Sequence, residues 1–463
     1  MAQADYIAEN RERLIEFFHG GEKGAGNTGL LGVEVEHLVL ADDGNPISYE
    51  PVDGRIGVRE VLAQLSYDYP NGSYNAQRDL LGLVGDDGSI TLEPAAQLEI
   101  SVAPYKRVAD VERAYRHFRS HADAILAERG AHLEEHGYHT TRRAQELTLI
   151  PKRRYDFMNA YFAHIGSDGD RMMRASSSTQ VSVDYVDEAD AVRKMRTASA
   201  LSPILAAIAD NTQVFEAEEN HIPIRRLQLW REVDNLRCGT IPGIFEKGFG
   251  FAAYADWVLG TPPIFVTRPA ADNPGGKRLR AAFEMPASEV YADAPMSRDD
   301  VEHLISMFWP DVRLKRFVEI RPADSLPEAC VLGYTALIKG LFYSDASLTA
   351  IEGALGVSPE AAPTRSAWPL SKADVDESIA QVQTHGLDGM VYGEKLRAWE
   401  ERLFSLAREA LDEDERAYLV PLQTFAATKP WWNVSSQDAR SSLARYATGS
   451  MMPKRSRYPS SSK

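Results

Sequence analysis

The sequence has very little cysteine: Cys238 and Cys330 are the two in 463 residues. A disulfide framework is therefore excluded, and such sparse cysteine is typical of a reducing compartment. The first nine residues carry acidic side chains and no apolar run, so no export signal is predicted. We expect a cytoplasmic protein.

Long hydrophobic runs are also missing. The longest one, residues 198–209, is interrupted by Ser202 and Pro203. It is shorter than the ~20 apolar residues that a membrane-spanning helix needs. We therefore expect no membrane partner.

The sequence has fewer basic than acidic residues, 51 against 67, and its net charge is −16. Binding to a phosphate backbone without sequence preference requires a basic surface, so no nucleic-acid partner is expected. The fractions of hydrophobic (44%) and charged (25%) residues are those of an ordinary globular protein. The length allows up to about three domains of ~150 residues or one large enzyme fold.

Four segments alternate between apolar and polar residues, as strands with one buried face do. Asp-Gly pairs at residues 43–44 and 87–88 are turn signals next to such segments and predict antiparallel hairpins. The polar faces carry Glu34 and Glu36; Gln97 and Glu99, with Glu93 just upstream; Gln180, Ser182 and Asp184; and Glu319 with Arg321.

Two explanations of this alternation stay open. The commonest one is an antiparallel sheet with one face in water. The residue types favour another, because a face with so many carboxylates and one arginine would repel itself across the strands. Oxygen ligands without cysteine or histidine select hard ions such as Mg²⁺ or Mn²⁺. Such ions bridge substrate phosphates in enzymes, so a nucleotide-dependent reaction is the hypothesis.

Other reactive residues are given structural interpretations. Alternation places His37 on the apolar face of its strand, which favours a core histidine over a ligand. Cys238 has no adjacent histidine to act as a base, so it is read as structural. Basic residues cluster at 152–154, 225–226 and 313–316; we expect most of them in solvent, and some near any phosphate site.

Six ordered blocks between Gly32 and Asp324 resemble the glutamate–cysteine ligases of plants and many bacteria. The blocks are G-x-E-x-E at 32–36, the run 89–101, I-P-K-R-R-Y at 150–155, the run 172–182, the Arg/Trp/Asp/Arg pattern at 226–251, and the run 312–324. The chain departs from the family pattern at Ser182, Cys238 and Pro322, which leaves the shape of the amino-acid pockets open.

The resemblance implies an α+β fold in which a glutamine-synthetase-like, curved antiparallel sheet carries the metal and ATP site and is flanked by helices. We assign residues 1–370 to this catalytic core and residues 371–450 to a C-terminal helical region packed on it. Residues 451–463 are predicted to be a flexible tail.

The resemblance also assigns roles by position. Metal ligands are expected at Glu34, Glu36, Glu99, Gln180 and Glu319. Arg237 and Arg321 are expected to hold the nucleotide phosphates or substrate and to act in catalysis. Glu93, Gln97, Arg174 and Trp230 are further candidates for binding substrate or ATP.

The reaction implied is ATP-dependent ligation of the γ-carboxylate of L-glutamate to the amine of L-cysteine through γ-glutamyl phosphate. It would give γ-glutamylcysteine, ADP and phosphate, as the first step of glutathione-type thiol synthesis. Mg²⁺, or else Mn²⁺, is the implied cofactor, and a monomer or homodimer is expected. A ligase using a different amine and a noncatalytic nucleotide-binding protein are the alternatives. Glu36→Gln and Glu319→Gln are both expected to abolish ligation with little loss of folding.

Overall fold

The computed structural model describes residues 6–270, 273–358, 366–429 and 432. The predicted tail at 451–463 and the end of the predicted helical region at 433–450 lie outside the described residues. Within them the strands are β1 (Leu31–Ala41), β2 (Asn71–Tyr74), β3 (Leu80–Gly85), β4 (Gly88–Leu92), β5 (Leu98–Tyr105), β6 (Ala131–Glu134), β7 (Ser178–Val183), β8 (Val214–Phe215), β9 (Glu218–Glu219), β10 (Cys238–Gly239), β11 (Phe265–Ala270), β12 (Asn273–Ala281), β13 (Trp309–Pro310), β14 (Val312–Leu314), β15 (Val318–Asp324), β16 (Met390–Val391) and β17 (Glu394–Lys395).

Helices make up the larger share of the same residues. They are α1 (Ile7–His19), α2 (Val58–Leu65), α3 (Val108–Ala127), α4 (Arg153–Ile165), α5 (Gly169–Ala175), α6 (Glu188–Ile208), α7 (Arg225–Val233), α8 (Phe251–Gly260), α9 (Ala287–Val290), α10 (Arg298–Ile305), α11 (Glu328–Phe342), α12 (Asp345–Ala354), α13 (Lys372–His385), α14 (Leu396–Ala410) and α15 (Leu419–Ala427). In the described part of the chain, no helix is both long and apolar enough to cross a membrane.

One large sheet organises the fold. In the described residues it has nine strands in the order β14-β15-β7-β1-β5-β4-β3-β2, with β6 paired to the distal end of β1. Every neighbouring pair in it is antiparallel. The predicted α+β class with an antiparallel sheet is confirmed.

The apolar face of this sheet packs against helices. Val35, Ile100 and Ile320 are fully buried, because successive residues of a strand point to opposite faces and these occupy the inner one. His37 lies on the same face, fully buried between the Leu98 carbonyl and the Tyr115 hydroxyl of α3. Burial lowers its pKa to about 3, so the predicted core histidine is confirmed and is neutral.

The block at residues 89–101 is not one strand in the structure. It is a hairpin of β4 and β5, joined by a tight turn in which the Glu93 amide donates to the Gln97 carbonyl at 3.0 Å. Pro94 has no N–H to give to a sheet, and Ala96 has a φ of 69°, in the left-handed region. The turn places Glu93 and Gln97 opposite each other at one end of the hairpin.

The chain beyond Ser371 is helical in the described residues. Ser371 and Asp374 form a capping box: the Ser371 amide donates to the Asp374 carboxylate at 2.8 Å, and the Asp374 amide donates back to the Ser371 hydroxyl at 3.4 Å. Leu396, Trp399 and Leu403 are fully buried on one side of α14. Helices α14 and α15 pack against α11 and α6, behind the sheet. The predicted domain boundary at residue 370 stays a prediction.

Candidate active site

The strand register brings sequence-distant acids into one layer on the polar face of the sheet. Glu34 on β1 lies opposite Gln180 on β7, and Glu36 lies opposite Glu99 on β5. Glu99 in turn lies opposite Thr91 on β4. Side chains directly opposite on antiparallel strands are ~5 Å apart, so the five positions form a compact patch.

This patch is one wall of a cavity of about 270 Å³. The charged and amide residues around the cavity are Glu34, Glu36, Glu93, Gln97, Glu99, Lys152, Arg154, Gln180, Arg226, Arg313, Lys315 and Arg321. Trp230, Trp309, Tyr155 and Phe162 supply aromatic surface. Eight of the eleven residues predicted from sequence therefore meet here; Arg174, Arg237 and Glu319 do not line the cavity.

We refer to Glu34, Glu36, Glu93 and Glu99 as the acidic wall. Burial, and then the charge of Glu319, raises the pKa of Glu34 to about 7. Burial together with Glu93 and Glu99 raises the pKa of Glu36 to about 8, and burial with Glu93 raises that of Glu99 to about 7. Among the described residues, none of these carboxylates is ion-paired with a lysine or arginine. They lie close together without a direct ion pair.

The donor set of the acidic wall fits a hard divalent cation. It offers carboxylate oxygens and the Gln180 side chain, and no nitrogen or sulfur ligand of histidine or cysteine lines the cavity in the described residues. Oxygen-only sites of this kind suit Mg²⁺ or Mn²⁺. Burial raises the three pKa values most, and repulsion between neighbouring carboxylates raises them further; a bound cation relieves both effects.

Glu319 is placed differently from the other predicted metal ligands, and its role as a ligand stays a prediction. It is fully buried; its Oε2 accepts from Arg313 Nε at 2.6 Å and Arg321 at 2.8 Å, and its Oε1 accepts from Lys315 Nζ at 2.8 Å. Burial alone would raise its pKa, but these three cations hold the pKa well below the ordinary value. We call these four residues the ion-paired cluster. Its two oxygens are occupied by protein cations.

Gln180 joins the acidic wall to the ion-paired cluster. Its Oε1 accepts a hydrogen bond from Arg321, and its Nε2 donates to Glu36 Oε1 at 3.3 Å. The Arg321 guanidinium therefore has a fixed orientation at the edge of the cavity. It also lies 5.9 Å from the centre of the Trp230 ring, which is a cation–π distance.

Most of the cations that line this cavity were not predicted as site residues. Lys152, Arg226, Arg313 and Lys315 belong to clusters that we expected mostly in solvent, yet all four line the cavity. Arg226 and Arg313 are buried, and burial lowers the pKa of Lys152. For Arg313 a signal existed, because β14 and β15 form a hairpin in which Arg313 lies opposite Glu319. Arg226 and Lys152 are brought in by α7 and by the segment before α4, which no local pattern relates to the sheet.

Arg237 does not line the cavity, and its expected contact with phosphates or substrate stays a prediction. It is fully buried and donates from Nε to Asp234 Oδ2 at 2.6 Å. It also donates to the Pro262 carbonyl at 2.9 Å and to the Tyr161 hydroxyl at 3.2 Å. These contacts hold three chain segments together, which is a structural role.

Two further predicted residues have roles in positioning the backbone. Gln97 Nε2 donates to the carbonyls of Met173, Arg174 and Ser176 at 3.1–3.2 Å, so it fastens the β4–β5 turn to the segment after α5. Arg174 donates to the Leu147 carbonyl at 2.9 Å and to Asn159 Oδ1 at 2.6 Å. It lines a second cavity of about 310 Å³ rather than the first.

Cys238 is buried, and burial raises the pKa of its thiol, with the charge of Asp234 acting in the same direction. A neutral buried thiol is a poor nucleophile. The structural interpretation given to Cys238 from sequence agrees with this environment.

Comparison with known proteins gives matches over most of the chain. The model of a family described as glutamate-cysteine ligase family 2 matches residues 30–441. A chloroplastic glutamate–cysteine ligase B of Oryza sativa subsp. japonica is 29% identical over 398 residues, 83% of this chain and 79% of that protein. A chloroplastic glutamate–cysteine ligase of Arabidopsis thaliana is 33% identical over 275 residues, 59% of this chain and 52% of that protein.

A solved structure shares the fold. It is the glutamate–cysteine ligase of Francisella tularensis in complex with AMP, with a TM-score of 0.50 over 91% of this chain and 88% of that one. The two sequences are 11% identical, so this likeness concerns the fold alone.

Proposed function

The chain belongs to glutamate-cysteine ligase family 2, and from this we propose that its cavity joins the γ-carboxylate of L-glutamate to the amine of L-cysteine at the expense of ATP. The products are γ-glutamylcysteine, ADP and phosphate. One observation carries the proposal: four carboxylates and six cationic side chains line a single cavity. A site for a metal-bound polyphosphate requires both signs of charge.

The cations bind and neutralise phosphate. Arg226, Arg313, Lys315 and Arg321, together with Lys152 and Arg154, line the cavity. Arginine binds phosphate oxygens with two parallel hydrogen bonds, and fixed positive charge stabilises a phosphoryl group in transfer. Arg321 is suited to this role because Gln180, Glu319 and Trp230 already set its orientation.

The acidic wall supplies the metal ligands. We assign Glu34, Glu36 and Glu99 to Mg²⁺, or else Mn²⁺, with Gln180 and Glu93 beside them. When bound, the ion neutralises phosphate charge and orients the nucleotide. The Thr91 hydroxyl donates to Glu99 at 2.5 Å and fixes one of these carboxylates. Metal binding by Glu319 stays a prediction, since it requires Lys315 or the arginines to move.

The reaction needs no covalent intermediate on the enzyme. The γ-phosphoryl group passes from ATP to a γ-carboxylate oxygen of glutamate, and ADP leaves. The amine nitrogen then attacks the acyl carbon, the C–O bond to phosphate breaks, and the amine loses a proton. The residues of the cavity bind, orient and neutralise charge in both steps. In the described residues no cysteine or histidine lines the cavity, as expected for such a route.

The amine acceptor and the cellular location are proposed from the names of the relatives and from composition. Cysteine as the acceptor is supported by the names of the relatives, and a different amine remains the alternative. A cytoplasmic location is proposed from composition; the relatives matched are named as chloroplastic. A monomer or homodimer stays a prediction.

The test is phosphate release from Mg·ATP and glutamate, with cysteine or with other amines, and mass identification of the product. Wild-type protein should release phosphate when cysteine is added, and Glu36→Gln should lose ~10²-fold or more in kcat/KM. Glu128→Gln is the matched control, because Glu128 is exposed at the end of α3, away from the cavity, and it should keep wild-type activity.

Each other outcome rejects part of the proposal. Release stimulated by another amine and not by cysteine would establish the alternative acceptor. No release with any amine would indicate the noncatalytic protein. Wild-type turnover in Glu36→Gln would show that the acidic wall takes no part in the reaction.

A further inference from the structure

A second group of metal-ligating side chains lies outside the cavity, on the outer part of the sheet. His117 and His121 are four residues apart on α3, so they lie on one face of the helix. Their ring centres are 4.8 Å apart. Asp68 follows α2, and one ligand atom from each of Asp68, His117 and His121 lies within 4.8 Å of the others. None of these residues lines the active-site cavity.

The contact between Asp68 and His121 is close without being a hydrogen bond. His121 Nδ1 lies 2.9 Å from Asp68 Oδ2. Nevertheless Nδ1 is buried and has no aligned hydrogen-bond partner among the described residues. Two ligand atoms that lie this close without a hydrogen bond between them can share one ion.

The carboxylate of Asp87 contacts the ring nitrogen Nδ1 of His117. Asp87, in the turn between β3 and β4, has Oδ2 at 2.9 Å from His117 Nδ1. Its Oδ1 accepts a hydrogen bond from the Tyr105 hydroxyl at 3.3 Å. A histidine whose Nδ1–H is bound to a carboxylate has the Nε2 lone pair free and correctly oriented for a metal ion.

The surroundings favour a cation. Asp68 and Asp87 bring two negative charges to a pair of histidines, and all four side chains are between 23% and 42% exposed, so an ion can reach them. Beneath them the buried Tyr69 ring stacks on His117 at 6.3 Å. The Tyr69 hydroxyl has no hydrogen-bond partner among the described residues.

We propose that Asp68, His117 and His121 bind a borderline divalent transition-metal ion, with zinc as the best match, and that Asp87 orients His117. Two imidazole nitrogens and one carboxylate oxygen are a common zinc ligand set, and water completes the tetrahedron. Ligand atoms around one tetrahedral zinc ion are about 3.4 Å apart, given bonds of about 2.1 Å. Partly exposed side chains reach that spacing from 4.8 Å by small rotations.

The bound ion links elements that lead to the active site. Asp68, α3 and the β3–β4 turn would be tied together at one point. Strand β4 begins at this turn and ends next to Glu93, at the cavity. The ion therefore acts as a structural clamp on the hairpin that carries part of the acidic wall.

The ordinary interpretation is two His–Asp contacts at the surface without a metal. It accounts for the contact between Asp87 and His117, which a neutral imidazole can make by donating from Nδ1. It does not account for His121 Nδ1, which lies 2.9 Å from Asp68 Oδ2 without an aligned hydrogen bond.

The experiment uses the full chain stripped with a chelator and titrated with Co²⁺, in a large excess of Mg²⁺ that fills the acidic wall. Tetrahedral cobalt absorbs far more strongly in the visible range than cobalt bound to six oxygens. Wild-type protein should bind one equivalent with a strong band. The His117→Gln/His121→Gln double variant should lose the band, with affinity falling about tenfold or more.

Two controls keep the result decisive. His385→Gln removes an exposed histidine at the end of α13 and should bind Co²⁺ as wild type does. Asp68→Asn is a milder change that should also weaken Co²⁺ binding, and it takes the place of the double variant if that variant does not fold.

In a second readout, Zn²⁺ should raise the unfolding temperature of wild type by several degrees and not that of the double variant. A wild type without the strong band, or equal Co²⁺ affinity in wild type and both ligand variants, overturns the proposal.

Discussion

The acidic wall and the ion-paired cluster lie side by side on one face of the sheet, and both are built on glutamates at alternating strand positions. In the acidic wall, Glu34, Glu36 and Glu99 have pKa values raised to about 7, 8 and 7. In the ion-paired cluster, Glu319 has a pKa held well below the ordinary value. Burial acts in the same direction on all four, so neighbouring charge decides the difference.

The difference separates what each region can do. Carboxylates without protein cations are available to a metal ion, and their mutual repulsion makes its binding more favourable. A carboxylate that accepts hydrogen bonds from two arginines and a lysine already has its negative charge balanced. It also holds those cations beside the cavity. The same residue type is thus proposed as a metal ligand in one region and holds protein cations in place in the other.

The largest expected effect tests this division through stability. Glu319→Gln leaves Arg313, Arg321 and Lys315 without their shared counter-charge; breaking such a buried pair costs about 3–5 kcal/mol. The free energy of unfolding, measured by urea denaturation without metal, should fall by that amount.

Glu36→Gln is the matched comparison, because it replaces an acid that is mostly protonated at neutral pH by an amide of the same shape. Its free energy of unfolding should change little. Equal destabilisation by the two substitutions would contradict the division. From sequence alone we expected little loss of folding in both, and the ion pairs of Glu319 change that expectation.

A pH dependence is the next effect in size. Glu34, Glu36 and Glu99 have pKa values of about 7, 8 and 7 in the folded protein, against the ordinary value of 4.5. Between these values the folded state holds more protons on these three groups, so in the metal-free protein their contribution to stability falls as pH rises from about 5 to above 8. For Glu36 the loss between pH 6 and pH 9 is roughly 2 kcal/mol.

Urea denaturation at pH 6 and pH 9 in the presence of a chelator measures this slope. Glu36→Gln should flatten it, and Mg²⁺ should oppose it by binding the ionised wall, with protons released near pH 7. A stability that rises with pH in metal-free wild type, or an unchanged slope in Glu36→Gln, would show that the pKa values of these glutamates are not raised.

Much of the polar face could be predicted from sequence because a strand's alternation is a local property. Val33, Glu34, Val35 and Glu36 show both faces of β1 within four residues. The capping box at Ser371 is equally local. Such patterns identified the strands and the acids that share their outer face.

The remaining features depend on contacts between distant parts of the chain. Arg226 and Lys152 are surface-like in sequence, and packing of α7 and of the segment before α4 places them in the cavity. Arg237 looks like a phosphate ligand, but Tyr161 and Pro262 surround it in the fold. No period or spacing within one segment contains that information.

The smallest effect concerns how the acidic wall is held in place. The Thr91 hydroxyl donates to Glu99 Oε1 at 2.5 Å, whereas the Ser101 hydroxyl donates to the same oxygen at 3.4 Å. Thr91→Val removes a hydrogen bond to a charged acceptor, worth about 1 kcal/mol or somewhat more, so Mg²⁺ should bind about fivefold more weakly. The Mg²⁺ dependence of phosphate release measures this. Ser101→Ala, the matched control at the longer distance, should change it less; an equal effect of both would mean that the short bond does not position Glu99.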